Sequence, residues 1–145
     1  MRLFNFKEFN MQGQISITVI VGLPGAGKTT LAKQLLDGQT FLIDDFSLNV
    51  SKVEDFKNSE MKKVIITDPY LCEVNKETAT QVLNDFFGNN ISVTWFAFEN
   101  NPEICIHNVE KRNDGRIVGE HFIKSLSDAY NPLSFTDTVT PVFKS

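Results

Sequence analysis

The sequence of 145 residues contains little cysteine and no block of like charges. Its two cysteines, Cys72 and Cys105, have no spacing typical of a metal site, and neither belongs to a Cys-x-x-Cys motif. We therefore expect both to be buried thiols in the reduced state. The net charge of −4 argues against a large nucleic-acid surface, although a short basic cleft remains compatible with an acidic protein.

Long hydrophobic runs are also absent. The longest apolar stretch is far shorter than a membrane-spanning helix, and the first residues lack the pattern of a signal peptide. These features predict a cytoplasmic protein with no membrane partner. Hydrophobic residues make up 41% of the chain and charged residues 22%, which is typical of a globular fold, and the length suits one domain.

One stretch, VGLPGAGKTT at residues 21–30, places three glycines between an apolar run and a helix-like segment. It matches the pattern G-x-x-x-x-G-K-[ST] with Gly22, Gly27, Lys28 and Thr29. Gly25 and Gly27 can adopt positive φ, so the backbone can curl around a phosphate and direct N–H groups at its oxygens. The alternative is a glycine-rich turn that binds nothing, but strand, loop, Lys-Thr pair and helix all occur in the required order.

The loop resembles the Walker A loop of P-loop nucleotide-binding proteins and predicts binding of a nucleoside triphosphate. We expect Lys28 to reach the β- and γ-phosphates and the Thr29 hydroxyl to bind Mg²⁺. The sequence has no Asn-Lys-x-Asp signature of guanine recognition, so ATP is preferred to GTP. The predicted nucleotide-binding residues are Gly22, Pro24, Gly25, Ala26, Gly27, Lys28, Thr29 and Thr30.

From Ile15 onward, short apolar runs alternate with amphipathic segments, which is typical of βα units. The pattern predicts an α/β fold: a P-loop NTPase three-layer α/β/α sandwich with a mostly parallel sheet of about five strands. The predicted strands are Ile15 to Val21, TFLID, KVIITD, ISVTWFAF and DTVTPVF. The predicted helices cover about residues 28–36, a short segment started by the capping-box pattern SKVE at residues 51–54, and residues 75–88, 101–112 and 119–130. Gly38 is the expected C′ residue of the first helix, Gly88 is expected to end the third, and Asn101 is the expected N-cap of the fourth.

The first 14 residues form a separate N-terminal extension in this interpretation, and residues 15–145 form the domain. Phe4, Phe6 and Phe9 make the extension more apolar than a disordered tail. We expect it to pack on the domain as an extra strand or turn, with an oligomer contact as the alternative. The sequence does not define the oligomeric state.

Three carboxylates follow predicted strands, at the edge where ligands bind in parallel α/β sheets. Asp68 ends VIITD, and its predicted role is to hold Mg²⁺ near Thr29, like a Walker B carboxylate. The alternative for Asp68 is a turn residue before proline. Asp44 and Asp45 end FLIDD and can act on an acceptor hydroxyl, one taking its proton and the other orienting it. The alternatives are solvated turn residues or, for Asp45, a helix cap.

Cations follow the fourth main helix in the stretch VEKRNDGR. Arg112 and Arg116 flank a glycine-containing turn and can close over a triphosphate, where they would stabilise the charge that develops during transfer. Lys111 lies beside them. The alternative is a solvated helix end, where cations are favoured by the helix dipole.

Taken in order, GLPGAGKTT, IDDFS, VIITDPYL and VEKRNDGR resemble the P-loop kinases related to the 5′-kinase domain of phage polynucleotide kinase. The similarity spans about residues 15–135, and its motifs are shared with zeta-toxin-like and small-molecule kinases. The resemblance implies that Asp44 is the general base and that Arg112 and Arg116 belong to a lid, with Asn113 matching the asparagine of the motif. The family's basic residue after the Asp pair is matched here by Ser47.

The leading hypothesis is therefore an ATP- and Mg²⁺-dependent kinase that phosphorylates a hydroxyl. Its acceptor would be a nucleic-acid 5′ end, a nucleoside or another small metabolite. A nucleotide-binding switch or regulatory ATPase is the alternative, and Asp44 distinguishes the two because a kinase needs a base on the acceptor side. Intact Lys28, Thr29 and Asp68 argue against a degenerate module without chemistry.

Overall fold

The carboxyl ends of parallel strands bring most of the predicted site residues to one edge of a single sheet. The computed structural model describes residues 13–112 and 118–145. Its strands are Ile15–Val21 (β1), Thr40–Ile43 (β2), Lys63–Asp68 (β3), Ile91–Phe98 (β4) and Val139–Thr140 (β5). They pair in the order β2-β3-β1-β4-β5, and each pairing is parallel.

Helices connect the strands and flank the sheet. They are Lys28–Leu35 (α1), Lys52–Asn58 (α2), Lys76–Phe87 (α3), Pro102–Arg112 (α4) and Glu120–Ala129 (α5). Short 3₁₀ turns lie at Phe46–Leu48, Pro69–Glu73 and Pro132–Ser134. The predicted three-layer α/β/α fold with a mostly parallel sheet of about five strands is confirmed. None of the helices in the described parts of the chain is long and apolar enough to cross a membrane.

The helix ends agree only partly with the sequence signals. Gly88 ends α3 with φ of 88°, and the Asn101 side chain caps α4 by accepting from the Ile104 amide at 3.2 Å, both as predicted. Gly38 was predicted to end α1 in a left-handed conformation, which is wrong because the chain already leaves the helix extended at Leu36. The short helix predicted to start at SKVE is present as α2, but the capping box is not formed, since Ser51 has helical φ and ψ and makes no side-chain cap.

The centre of the sheet is a continuous apolar layer. Val19 in β1 pairs with Ile66 in β3 and with Trp95 in β4, and Val19, Ile20 and Val21 are completely buried. A strand that is buried on both faces has a nearly continuous apolar sequence, and the β1 sequence ISITVIV is close to this pattern. The carboxyl end of β1 is therefore a rigid base for the loop that follows it.

Phenylalanine rings pack against one another between β2, α2, α3 and the segment that follows Asp45. Phe56 of α2 packs edge-on against Phe41 of β2 and Phe87 of α3, with ring centroids 5.7 Å apart in both pairs. Phe46, directly after Asp45, packs edge-on against Phe86 at 5.2 Å. Such pairs add about 0.5–1.5 kcal/mol each beyond the area they bury. They fix the segment that carries Asp44 and Asp45.

The two cysteines are buried and free, which confirms the thiol prediction. Burial raises the pKa of Cys72 to about 12 and the pKa of Cys105 to about 11. Residues 1–12, with the three phenylalanines of the extension, lie outside the described residues. The packing of the extension stays a prediction.

Candidate functional site

The loop between β1 and α1 requires glycine at Gly25 and is strained or crowded by a side chain at Gly22 or Gly27. Gly25 and Gly27 have φ of 87° and 108°, where residues with a Cβ are strained. A Cβ at Gly25 would lie 2.4 Å from the Cys105 carbonyl oxygen, and one at Gly22 would lie 3.1 Å from Ala26 Cβ. The backbone conformation proposed for phosphate binding is therefore present.

Lys28 lies inside the curve of this loop. Its ammonium donates to the carbonyl oxygens of Gly22 at 2.8 Å and Leu23 at 2.9 Å, and the residue is 8% exposed. Burial lowers the pKa of Lys28, while nearby acidic groups oppose this shift, led by Cys72 and Asp45. The loop thus holds a buried cation at the carboxyl end of the sheet.

Asp44 accepts a hydrogen bond from Thr29 in the first turn of α1. The Thr29 hydroxyl lies 3.2 and 3.1 Å from the two carboxylate oxygens of Asp44, and the Thr67 hydroxyl donates to the same carboxylate. Asn49 donates from its side-chain amide to the Asp44 carbonyl oxygen at 2.9 Å. Because both its backbone and its side chain are held, Asp44 has a fixed position beside the Lys-Thr pair of the loop.

Asp45 adopts an unusual backbone conformation, with φ of 50°. Its amide donates to the Thr67 hydroxyl at 3.1 Å, and its carbonyl oxygen accepts from Asn49 at 3.1 Å. Asp45 occupies the cap position of the 3₁₀ turn at Phe46–Leu48, but its side chain does not cap that turn. Aspartate is one of the residues that adopt this conformation most often, and Glu60 has a similar φ of 65°.

Asp68 is a buried carboxylate with one oxygen unused. It is 3% exposed, and Oδ2 accepts from the Ser47 hydroxyl, whereas Oδ1 has no hydrogen-bond partner among the described residues. Burial raises the pKa of Asp68, and the hydrogen bonds from Ser47 and the Tyr70 backbone oppose this shift. A buried acceptor without a partner costs about 1–3 kcal/mol, so Oδ1 is available to accept from a water or to bind a cation.

The residues predicted to hold Mg²⁺ fit such an ion in part. Asp68 pairs with Val21 just before the loop, and Thr29 lies in the first turn of α1 just after the loop, where its hydroxyl contacts Asp44. The described residues contain no cluster of three or more histidine, cysteine or acidic side chains arranged for a metal. Mg²⁺ does not need one, because it commonly uses one or two carboxylates together with water and substrate phosphates. The Thr29 hydroxyl and the unused Asp68 oxygen suit that coordination.

The predicted lid is described only at its start. Arg112 is the last residue of α4, and both Lys111 and Arg112 are exposed. Asn113 and Arg116 lie outside the described residues. Their predicted roles stay predictions.

Three polar residues of the site were not identified as functional from the sequence. Thr67 and Asn49 fix Asp44, and Ser47 bonds Asp68. Thr67 directly precedes Asp68 on β3. The strand pattern therefore allows the Thr67 hydroxyl to be predicted at the same end of the sheet as Asp68. The roles of Ser47 and Asn49 depend on the fold of the 3₁₀ turn after Asp45, for which the sequence carries no local signal.

Solved structures of kinases share this fold. A chain in the structure of the Pnkp1/Rnl/Hen1 RNA repair complex matches with a TM-score of 0.58 and 18% identity, covering 79% of this chain and 43% of that one. The protein thus spans less than half of that chain. A gluconokinase from Sinorhizobium meliloti 1021 matches with a TM-score of 0.55 and 10% identity, covering 90% of this chain and 83% of that one. At these identities the similarity is one of fold.

Sequence comparison identifies a viral relative. No protein-family model matches the chain. "Uncharacterized protein R277" of Acanthamoeba polyphaga mimivirus is 35% identical over 131 residues, which cover 83% of this chain and 89% of the viral protein. The chain belongs to the same family as this mimivirus protein.

Proposed function

We propose that the protein is an ATP- and Mg²⁺-dependent kinase that transfers the γ-phosphoryl group of ATP to a hydroxyl acceptor. The observation that carries the proposal is the hydrogen bond between the Thr29 hydroxyl and the Asp44 carboxylate. It places a carboxylate from the end of β2 directly beside the loop proposed to hold the triphosphate. The kinase fold of the neighbouring structures supports the same interpretation.

The chemical step is an in-line displacement on the γ-phosphorus. The acceptor oxygen forms a bond to phosphorus, the bond from phosphorus to the β,γ-bridging oxygen breaks, and ADP leaves. Asp44 accepts the proton of the acceptor hydroxyl, which is general-base catalysis. Lys28 and the loop amides bind the phosphates, and Arg112 contributes positive charge from the end of α4.

Mg²⁺ would be held by the Thr29 hydroxyl and by the unused Oδ1 of Asp68. The ion would neutralise charge on the β- and γ-phosphates, which is its general contribution to phosphoryl transfer. Ser47 holds the other oxygen of Asp68, which leaves Oδ1 as the oxygen that would bind the ion.

The acceptor side of the site exposes apolar side chains. Leu48 is 77% exposed and Val50 41%, both after β2, while Tyr70, 43% exposed, follows β3. These two segments meet where Ser47 bonds Asp68. Exposed apolar and aromatic groups favour an acceptor with an aromatic ring, such as a nucleoside or a polynucleotide 5′ end, over a polyol.

A label-transfer screen tests the proposal. The protein would be incubated with Mg²⁺ and ATP carrying a radioactive γ-phosphate, together with 5′-hydroxyl DNA, 5′-hydroxyl RNA, nucleosides or gluconate. We expect transfer to one of the ring-bearing acceptors that is faster than the parallel release of phosphate to water. Release of phosphate without transfer to any acceptor would instead support a regulatory ATPase, and absence of ATP binding would contradict both functions.

A further inference from the structure

The Asn108 side chain joins two segments that are far apart in the sequence. From the middle of α4, its amide nitrogen donates to the Gly25 carbonyl oxygen at 3.0 Å and to the Phe143 carbonyl oxygen at 2.9 Å. Its oxygen accepts from the Ser145 amide at 2.8 Å. Both N–H groups and the carbonyl of the side chain are therefore used.

The tip of the loop rests on the same face of α4. A Cβ at Gly25 would lie 2.4 Å from the Cys105 carbonyl oxygen and 2.9 Å from Val109 Cγ2. Cys105, Asn108 and Val109 are three and four positions apart, which puts them on one side of the helix. Asn108 is the polar member of this contact, and its hydrogen bond to Gly25 fixes how the loop sits on α4.

The peptide that joins Gly25 to Ala26 is held at both of its polar atoms. Asn108 bonds the oxygen, and the Leu23 carbonyl accepts from the Ala26 amide at 3.0 Å. The next residue, Gly27, has φ of 108° and precedes the first turn of α1. The orientation of this peptide therefore sets the path of the chain toward Lys28.

We propose that Asn108 is a positioning residue for the phosphate-binding loop, and that residues 142–145 keep its side chain in place. This inference rests on the proposed nucleotide binding by the loop. The segment is itself anchored, because the Val142 amide donates to Glu99 at 3.0 Å and His107 contacts the Ser145 carbonyl oxygen at 3.0 Å. Asn108 thus fixes the geometry in which the loop meets a triphosphate.

Replacement of Asn108 by leucine, which has a similar size and no hydrogen-bonding groups, tests the proposal. One lost hydrogen bond in the loop corresponds to roughly a 5- to 10-fold change in affinity. We expect calorimetry to show weaker binding of MgATP by that factor, and weaker binding of inorganic tripolyphosphate by the same factor. The KM for ATP should rise, with kcat changed less than about 2-fold.

Asn100→Leu is the matched control, since Asn100 also donates its side-chain amide to two carbonyl oxygens, those of Ser127 and Tyr130, which belong neither to the loop nor to residues 142–145. It should leave the affinity for both probes unchanged. Asn108→Ala is the second variant should Asn108→Leu not fold, because alanine also removes the hydrogen bonds to Gly25 and Phe143 and adds no charge beside the loop. Hydrogen exchange at the Ala26 amide should accelerate in either Asn108 variant.

Two outcomes separate this inference from the proposed function. If the parent protein binds neither ATP nor tripolyphosphate, the proposed nucleotide binding is wrong and Asn108 has no loop to position. If the parent binds both and a folded Asn108 variant binds them with parent affinity and parent Ala26 exchange, the positioning role alone is wrong.

Discussion

At the scale of single residues, burial acts on the two charged groups next to the loop in opposite directions. It lowers the pKa of Lys28 and raises the pKa of Asp68, in each case favouring the neutral form. The charge of Lys28 partly opposes the upward shift in the pKa of Asp68. Such burial costs stability and is typical of sites adapted to a ligand.

Asp68→Asn should therefore stabilise the protein near neutral pH while weakening its Mg²⁺-dependent activity. The raised folded-state pKa of Asp68 means that its contribution to stability is complete below the ordinary value of 3.8 and is lost as pH rises above it. The variant should melt at a higher temperature than the parent at pH 7, and the difference should shrink as pH falls toward 3.8. Calorimetric melting across this range measures it.

Asp37→Asn is the control, because the expected change in melting temperature has the opposite sign. Hydrogen bonds from the Thr40 hydroxyl and the Gln39 amide lower the pKa of Asp37, so its contribution is present above its ordinary pKa and lost as pH falls. The variant should melt slightly below the parent at pH 7. A lower melting temperature for Asp68→Asn at pH 7 would show that the carboxylate stabilises the fold.

Lys28→Met should separate nucleotide binding from folding. Replacing a buried cation by an apolar side chain of similar volume is often neutral or stabilising, although here it also removes hydrogen bonds to Gly22 and Leu23. We expect a melting temperature close to that of the parent and ATP affinity reduced by about 10- to 100-fold, as for a lost charge-assisted hydrogen bond. Parent affinity in the variant would contradict the assignment of the loop.

At the scale of secondary-structure elements, the sequence predicts which strands and helices are present better than it predicts where they begin and end. The strong apolar runs of β1, β3 and β4 and the amphipathic pattern of α3 are present where predicted. The end predicted at Gly38 is wrong because the chain is already extended at Leu36, whereas α2 begins after Ser51 as predicted but without a cap from the Ser51 side chain. Tertiary packing overrides such short signals.

Arg112 lies at the C-terminal end of α4 and is exposed. If Arg112 stabilises charge in the transfer step, Arg112→Ala should lower kcat by about 10²-fold, the usual effect of losing a transition-state donor. Lys111→Ala is the matched control, since Lys111 is the neighbouring exposed cation on the same helix. Steady-state kinetics with the identified acceptor would measure both variants, and a normal kcat with a lower melting temperature would show that Arg112 is structural.

At the scale of the whole molecule, the sequence predicts which residues gather at the carboxyl edge of the sheet. It does not predict all the hydrogen bonds that join them there. The motifs place the loop, Asp44 and Asp68 at strand ends, and parallel pairing then brings them together. The hydrogen bonds of Thr29 to Asp44 and of Asn108 to Gly25 link residues 15 and 83 positions apart. Such contacts depend on side-chain geometry set by the assembled fold, so a motif alone does not define them.

The measurement that tests the central claim most directly combines two experiments on one preparation of Asp44→Asn. Asparagine keeps the size of the side chain and can still accept from Thr29, so calorimetry should show MgATP affinity close to that of the parent. Label transfer to the acceptor should fall by about 10²- to 10⁴-fold, the usual contribution of a general base. Asp45→Asn, the adjacent carboxylate, should reduce transfer less. Transfer by Asp44→Asn at the parent rate would contradict the account, because Asp44 would then take no part in moving the phosphoryl group.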